Sequence, residues 1–255
     1  MTFVSWNING IRAIDRKGAL RWIDEADIDF LALQEIKAQA QEVPTTLFSR
    51  RYPFCAINSA SQKGYSGVAL YSAIKGEAFA CEEVDTLEEG RIVEYHFKGV
   101  YVLLNIYFPN GQRDASRFAY KMAFYERLLA YIVKLKASGK VVIICGDFNT
   151  AHLDVDVADL SEAKGRSGFL DVERAWIGRL IDAGFIDTFR LMHPEAKERY
   201  SWWSYTKGAR QRNRGWRIDY FFVCDSLKEA IVEADILEEI EGSDHAPVKL
   251  VLDIA

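Results

Sequence analysis

Five apolar residues in a row, Val141-Val142-Ile143-Ile144-Cys145, constrain this chain more than any other feature. Two valines and two isoleucines in so short a run read as a buried strand. Gly146 breaks the run, and Asp147 and Asn149 follow at a spacing of two. In extended backbone that spacing points two side chains to the same side. A strand that ends in a small residue and then presents a carboxylate and an amide holds two polar groups rigidly at a cleft. Taken alone, the stretch also fits a strand end followed by an ordinary Asp/Asn turn. Four other segments of the chain end in the same way, and that favours the cleft.

The 255 residues, 49% of them hydrophobic, suffice for one large core or two fused halves. No apolar run approaches the ~20 residues that span a bilayer. The opening Thr2-Phe3-Val4-Ser5-Trp6 is strand-like and unlike a signal peptide. Cys55, Cys81, Cys145 and Cys224 lie far apart, mostly among apolar neighbours. They read as reduced core residues of a cytoplasmic protein, neither a disulfide set nor a zinc site. A net charge of −5 argues against a protein that coats nucleic acid non-specifically. It leaves room for a local basic surface around an acidic metal site.

Alternation and turn residues predict strands over 1–8, 29–33, 54–59, 67–72, 91–97, 100–107, 200–204, 218–223, 230–237 and 247–253. A short helix is expected over 17–26, with Leu20 and Ile23 on one side. The clearest helix covers 114–138, where Phe118, Met122, Tyr125, Leu129 and Ile132 recur at alternating intervals of four and three, with Gly139 as stop. Another is expected over 171–183, capped by Asp171 and stopped by Gly184. With no linker, low-complexity tract or repeat, residues 1–255 read as one layered α/β or α+β domain. Periodicity does not supply the strand order.

Polar groups collect at the predicted strand ends. Asn7 and Asn9 follow the first strand, Glu35 the second. Tyr107 closes another, with Asn110 and Arg113 beyond it. Asp147 and Asn149 follow the central strand, and Asp244-His245 precedes the last. Asp219 stands within the apolar run Ile218-Asp219-Tyr220-Phe221-Phe222. An unpaired buried carboxylate is expensive, so Asp219 needs a partner, and one of the four histidines is a candidate. Carboxylates and amides without clustered cysteine suit a hard cation such as Mg²⁺. Beside an Asp–His pair, such a cation forms a set for cutting phosphate esters.

Seven segments carry a more specific resemblance. They are Ser5-Trp6-Asn7-Ile8-Asn9-Gly10-Ile11-Arg12, Leu33-Gln34-Glu35-Ile36-Lys37, Gly64-Tyr65-Ser66-Gly67-Val68-Ala69, Tyr107-Phe108-Pro109-Asn110-Gly111, Gly146-Asp147-Phe148-Asn149, Gly215-Trp216-Arg217-Ile218-Asp219-Tyr220-Phe221 and Gly242-Ser243-Asp244-His245-Ala246-Pro247. In this order the chain resembles the exonuclease III family of abasic-site endonucleases, in the endonuclease–exonuclease–phosphatase superfamily. The resemblance implies a four-layer α/β sandwich of the DNase I-like kind: two mixed β-sheets face to face, flanked by helices. It implies one or two divalent metals, Mg²⁺ or Mn²⁺. Glu35 matches the principal metal carboxylate, with Asn9 and Asp244 as direct or water-mediated ligands. Asn7 matches a supporting residue. Tyr107, Asn149 and His245 match groups that bind the scissile phosphate. Asp147 matches the residue assigned to water activation, and Asp219 the carboxylate that orients His245. An Asp219 charge within ~4–6 Å favours the imidazolium, which makes His245 a better clamp than base.

The same resemblance puts a DNA-contacting basic residue at Arg113. It puts an apolar pocket for an extruded abasic sugar at Trp202, Trp216 and Ile218, with Trp203 as a core residue. Lys207, Arg210, Arg212, Arg214 and Arg217 flank that pocket and suit a phosphate track. The loop 159–169 carries Lys164, Arg166 and Ser167, where some relatives use asparagines to hold phosphates. The expected protein is a monomeric, cytoplasmic DNA repair phosphodiesterase, on the nucleoid when acting. It cuts double-stranded DNA 5′ to abasic sites and clears blocked 3′ ends, with 3′-phosphodiesterase, 3′-phosphatase and 3′→5′ exonuclease activity. Two other readings stay open: a phosphatase of a small molecule or lipid, and a non-catalytic RNA-binding regulator on the same scaffold. The tryptophans and the basic cluster oppose the first, the intact polar set the second.

Overall fold

A computed structural model describes residues 1–43, 51–206 and 208–254. In chain order it builds β1 (Thr2–Asn7), α1 (Ile11–Arg16), α2 (Trp22–Glu25), β2 (Phe30–Gln34), β3 (Phe54–Asn58), β4 (Val68–Ser72), β5 (Gly76–Phe79), β6 (Ile92–Phe97) and β7 (Tyr101–Tyr107). Then come α3 (Ala115–Ala137), β8 (Val141–Asp147), α4 (Leu160–Ala163), α5 (Asp171–Asp182), β9 (Phe185–Asp187) and α6 (Thr188–Met192). The chain continues through β10 (Trp202–Trp203), β11 (Gly215–Trp216), β12 (Asp219–Cys224), β13 (Ile231–Ile236) and β14 (Val248–Leu252).

Among the described residues the strands form two six-stranded sheets, ordered β13-β14-β1-β2-β4-β3 and β5-β6-β7-β8-β12-β9, plus the ribbon β10-β11. Each large sheet has one parallel pair, β1 with β2 and β7 with β8, and is otherwise antiparallel. Residue alternation makes the four layers. In β8, Ile143 and Cys145 face the core between the sheets, where they join Phe3, Phe30, Leu103, Phe221 and Leu250. Val142 and Ile144 face outward onto Phe124, Leu128, Trp176 and Leu180 of α3 and α5. In the other sheet Val4 and Trp6 face outward onto Ile11, Ile14 and Ile23 of α1 and α2. The fold class expected from the resemblance holds: two mixed sheets face to face, with helices outside.

Both parallel pairs point their C-terminal ends the same way as the polar loops, and the pairings fix which residues meet there. Asn7 is in register with Gln34, and Tyr107 with Asp147, which is also in register with Asp219. Gly146 lets β8 approach β7 beside the Tyr107–Asp147 pair: its φ is 135°, and a Cβ there would lie 1.8 Å from the Ile106 carbonyl oxygen. No side chain fits that approach. Beneath the rim a buried polar bridge joins the sheets. Gln34 Nε2 donates to Asn105 Oδ1 (2.7 Å) and Ser5 Oγ (3.0 Å), while Asn105 Nδ2 donates to the Ala69 carbonyl (2.8 Å).

Several local expectations need correction. Of the helix expected over 17–26 only α2 forms; α1 ends before it at Arg16, and Gly18 takes a left-handed φ of 67° between the two. α3 begins at Ala115, one residue later than expected, and is capped by Asp114, whose carboxylate accepts from Arg117 N (2.8 Å). Its buried face, however, is Lys121, Phe124, Tyr125, Leu128 and Ile132; Met122 and Leu129 lie at its margin. Asp171 is the first residue of α5 and not its cap; the Glu173 carboxylate takes the Leu170 N–H (3.0 Å). The strand expected over 200–204 shrinks to β10, which pairs with β11 and bridges to His245 at Trp202. Three cysteines are buried, but Cys55 is exposed because β3 is an edge strand. No described helix is long and apolar enough to cross a membrane.

Candidate active site

The polar strand ends converge on Asn7, which is fully buried. Its Nδ2 donates to Glu35 Oε1 and to Asp147 Oδ2, both at 2.9 Å. Asp147 Oδ1 accepts from Asn149 N (2.8 Å), and the Asn149 side-chain amide donates to the Phe108 carbonyl (3.0 Å). Asn9, Glu35 and Asn149 all take left-handed backbone, with φ of 49°, 49° and 51°. Such geometry in non-glycine residues persists where the surroundings over-determine it. Across the cleft His245 Nδ1 bonds Asp219 Oδ2 (2.9 Å), and Ser201 Oγ donates to the same oxygen (2.7 Å). The partner that Asp219 needed is therefore His245, whose Nε2 lies 3.9 Å from Asp147 Oδ2. Trp6 Nε1 donates to the His245 carbonyl (2.9 Å) and so ties the histidine to β1.

Burial and neighbouring charges split the titrations. Burial pushes Asp147 up to about 7; the His245 charge opposes this and Asp219 adds to it. Burial alone would push His245 down, but the Asp219 and Asp147 carboxylates overcome it and hold the imidazole at about 10. At neutral pH the site thus carries an imidazolium beside a carboxyl poised between its forms. Burial raises the Tyr107 hydroxyl well above its usual range, and the Glu35 carboxylate adds to this, so it stays protonated.

The donor set fits a hard cation. Lys37 Nζ lies 2.9 Å from Glu35 Oε2 and also donates to Asn9 Oδ1, so an ammonium occupies an oxygen-lined corner. Asn9 Nδ2 in turn donates to Asp244 Oδ1 (2.9 Å), so Lys37 and Asn9 together link Glu35 to Asp244. Trp202 Nε1 and the Tyr205 hydroxyl, both at 3.1 Å, donate to the two oxygens of Asp244. Ligand atoms of Glu35, Asp147 and His245 also lie within 4.8 Å of one another. An imidazolium cannot ligate a metal, which leaves oxygen donors of the kind Mg²⁺ and Mn²⁺ prefer. Lys37 and Tyr205 were not singled out from the sequence. Lys37 stood within a matching segment, and the only signal was a cation two residues from Glu35.

A cavity of about 690 Å³ opens onto these groups; Glu35, Asp147, Asn149, His245, Trp202 and Trp216 all line it. Trp202 and Trp216 pair across the ribbon and meet edge to face, with ring centres 6.2 Å apart. Ile218 and Phe169 pack behind them, and Trp203 is buried in the core between the sheets. Phe169 joins this wall without having been expected. Arg166, Arg212 and Arg214 line the same cavity, and Lys164 is exposed nearby. Arg214 also bonds Asp159 and Glu162. Arg113 is exposed at the edge of a neighbouring cleft with Tyr65 and Arg117. Lys207 lies outside the described residues.

Two of the expected phosphate contacts are corrected. Arg217 has no exposed surface: it pairs with Asp156 (2.8 Å) and Asp187 (2.7 Å) beneath the tryptophan wall. Arg210 stacks on Trp203 and gives its guanidinium to the carbonyls of Ser243, Glu238 and Ile240. Arg217 offers no surface to DNA, and Arg210, half-buried, spends three N–H groups on backbone carbonyls. Burial would raise Asp156, yet Arg217 and Arg190 hold it at about 2. Its folded value lies below its unfolded one. Its share of stability is therefore present above pH ~4 and is lost as pH falls through about 2. Arg217→Met is expected to destabilise the fold by ~3–5 kcal/mol, because Asp187 is left buried without its guanidinium and Asp156 keeps only Arg190 as a counter-charge. Urea unfolding at neutral pH checks this, and a loss under ~1 kcal/mol would return Arg217 to the surface.

A carboxylate–amide floor, an Asp–imidazolium pair and an oxygen-lined cation corner at the rim of a two-sheet sandwich define a metal-assisted phosphoesterase. The chain belongs to the endonuclease/exonuclease/phosphatase family, a metal-dependent family whose profile matches residues 4–245. It is 42% identical to the exodeoxyribonuclease of Bacillus subtilis (strain 168), over the whole of both chains. Among solved structures it is similar to an AP endonuclease from Archaeoglobus fulgidus, with 28% identity and a TM-score of 0.89 over all of both chains. It is also similar to a Neisseria 3′ phosphatase bound to product DNA hairpin, with 26% identity and a TM-score of 0.89 over all of both chains.

Proposed function

We propose that this chain is a Mg²⁺- or Mn²⁺-dependent DNA repair nuclease that hydrolyses the backbone 5′ to abasic sites. 3′-Phosphodiesterase, 3′-phosphatase and 3′→5′ exonuclease activity share the same site. As a DNA repair nuclease it is a hydrolase of DNA phosphodiester bonds. Residues 1–255 act as one monomeric catalytic domain in the cytoplasm, on the nucleoid when bound to DNA. The observation that carries the abasic reading is the single cavity lined by both the hydrolytic groups and the paired tryptophans. Metal-assisted hydrolysis needs the first set only; selecting a sugar without a base needs the second.

Glu35, with Asn9 and Asp244, would hold the cation, which would supply neutralisation of charge on the phosphoryl group and the leaving oxygen. Asn149, the imidazolium of His245 and the protonated Tyr107 hydroxyl hold the phosphoryl oxygens. Asp147, held by Asn7 and the Asn149 backbone, takes the proton from the attacking water as the water's oxygen bonds phosphorus. The bond to the upstream 3′ oxygen breaks, and that oxygen takes up a proton from solvent to leave as a hydroxyl. Asp219 keeps His245 charged and oriented throughout. A nicking assay on abasic and intact duplexes, with and without EDTA, tests the whole reading. Equal cutting of the two duplexes, or cutting that survives EDTA, refutes it.

Trp216 separates selection from hydrolysis. Trp216→Ala is expected to lower abasic-site cleavage roughly ten- to a hundredfold, the effect of losing an aromatic contact of ~1–3 kcal/mol in the transition state. Removal of a simple 3′-phosphate should fall less. The check is the ratio of the two rates in wild type and variant, with folding followed by thermal melting. Equal loss of both activities in a folded variant makes Trp216 scaffold.

A further inference from the structure

Lys121 stands on α3 with no exposed surface, outside the hydrolytic set. Its ammonium donates to the Asn149 carbonyl (2.8 Å), Thr150 Oγ1 (2.9 Å) and Glu173 Oε1 (2.6 Å). Glu173, on α5, is equally buried. Its Oε1 also accepts from Ser167 Oγ (2.8 Å), and its Oε2 accepts from Gly168 N (2.6 Å) and Leu170 N (3.0 Å). The carbonyls on either side of Asn149 are held as well. Tyr125 OH donates to Phe148 O and Tyr220 OH to Thr150 O, both at 2.9 Å. Three successive carbonyls directly after Asp147 thus accept from buried side chains, and the central one takes an ammonium.

That ammonium sits behind the residue with the left-handed φ of 51°. The 166–168 loop is laid against the same turn. Ala151 N donates to the Gly168 carbonyl (2.8 Å), and a Cβ on Gly168 would lie 3.1 Å from both Asn149 O and the Trp216 ring. A buried ion pair is a poor source of stability, since apolar groups of the same volume often do as well or better. Its placement therefore points to what it holds. We infer that Lys121 and Glu173 are positioning residues that lock the Asn149 turn to the 166–168 loop. The amide that grips the scissile phosphate and the cleft loop that meets the DNA strand are thereby set as one body. The inference rests on the proposed role of Asn149 at the phosphate.

Three variants test it: Lys121→Met, Glu173→Gln and the two combined. Each is measured for kcat, KM and melting temperature, with an abasic duplex and with a 3′-phosphate duplex. Lys121→Met is expected to lower kcat on both substrates roughly ten- to a hundredfold with KM little changed, because the error lies in the geometry of the bound complex. The double variant leaves no uncompensated buried charge, so its melting temperature should return towards wild type while kcat stays low. A kcat that recovers together with melting temperature makes the pair purely structural and overturns the inference, as does a wild-type kcat in folded Lys121→Met. If Lys121→Met does not fold, the double variant decides alone. A wild-type protein that removes 3′-phosphates but leaves abasic duplex intact refutes the abasic reading instead, and the kcat comparison is then read on the 3′-phosphate substrate.

Discussion

Asp147→Asn lowers turnover on an abasic duplex by on the order of 10²–10⁴-fold, with duplex affinity close to wild type. Asparagine keeps the size of the side chain; its oxygen still accepts from the Asn149 backbone, while its amide nitrogen replaces the oxygen that accepted from Asn7, so one hydrogen bond of the floor is lost and the other kept. What it lacks is the ability to take a proton. Asp147 is poised for that work because burial lifts it to about 7, near the pH at which it acts. The sign follows directly. Below about 7 the carboxyl is protonated and idle, so the rate rises as pH rises through that value. A bound cation nearby favours the charged form and moves this limb lower. His245, held at about 10, keeps its positive charge through neutral pH and loses it above that value, where the rate falls again. Single-turnover cleavage from pH 5 to 11 should show both limbs in wild type and lose the acid limb in Asp147→Asn. Near-normal cleavage by the variant would remove Asp147 from the role of base.

Glu35→Gln raises the Mg²⁺ concentration for half-maximal rate by roughly 100-fold or more. Removing even an outer partner of a metal ligand typically costs 10–100-fold in affinity, and Glu35 is proposed as a direct ligand. It stands at the end of β2, held by Asn7 and Lys37, and takes no part in either large apolar core. Melting temperature without metal should therefore change little. The same variant should lose the rise in melting temperature that Mg²⁺ or Mn²⁺ gives the wild type, a readout independent of catalysis. An unchanged Mg²⁺ midpoint together with an unchanged metal-induced stabilisation would take Glu35 out of the site.

Both predictions concern residues that were legible in the chain, and the reason is local. Asp147, Asn149, Glu35 and Asn9 sit one or two positions beyond apolar runs that can only be strands. Strand ends and tight turns are governed by neighbours in sequence. Asp219 was legible for a related reason: a carboxylate in an apolar run demands a partner wherever it comes to rest, and His245 supplies it at 2.9 Å. Seven short motifs in a single order then tied these ends to one two-sheet architecture.

The cations were another matter. Sequence alone placed Arg210 and Arg217 in one basic cluster with Arg212 and Arg214, since a run of arginines reads as a solvated or phosphate-facing surface. The fold separates them. Arg217 meets Asp156 and Asp187, 61 and 30 residues away, and is withdrawn from solvent; Arg212 remains at the cavity. Lys121 was hidden in the same way, because a lysine on an amphipathic helix reads as exposed until the helix is docked. Lys37 gains its meaning only when β1 brings Asn9 beside Glu35. The sequence by itself determined where the strands end and which acids and amides those ends carry, because these depend on local apolar pattern and turn chemistry. Only the tertiary structure decided which cations are buried in ion pairs and which line the cavity, because the surroundings of a charge depend on what lies within a few ångströms of it, and here those neighbours come from distant segments.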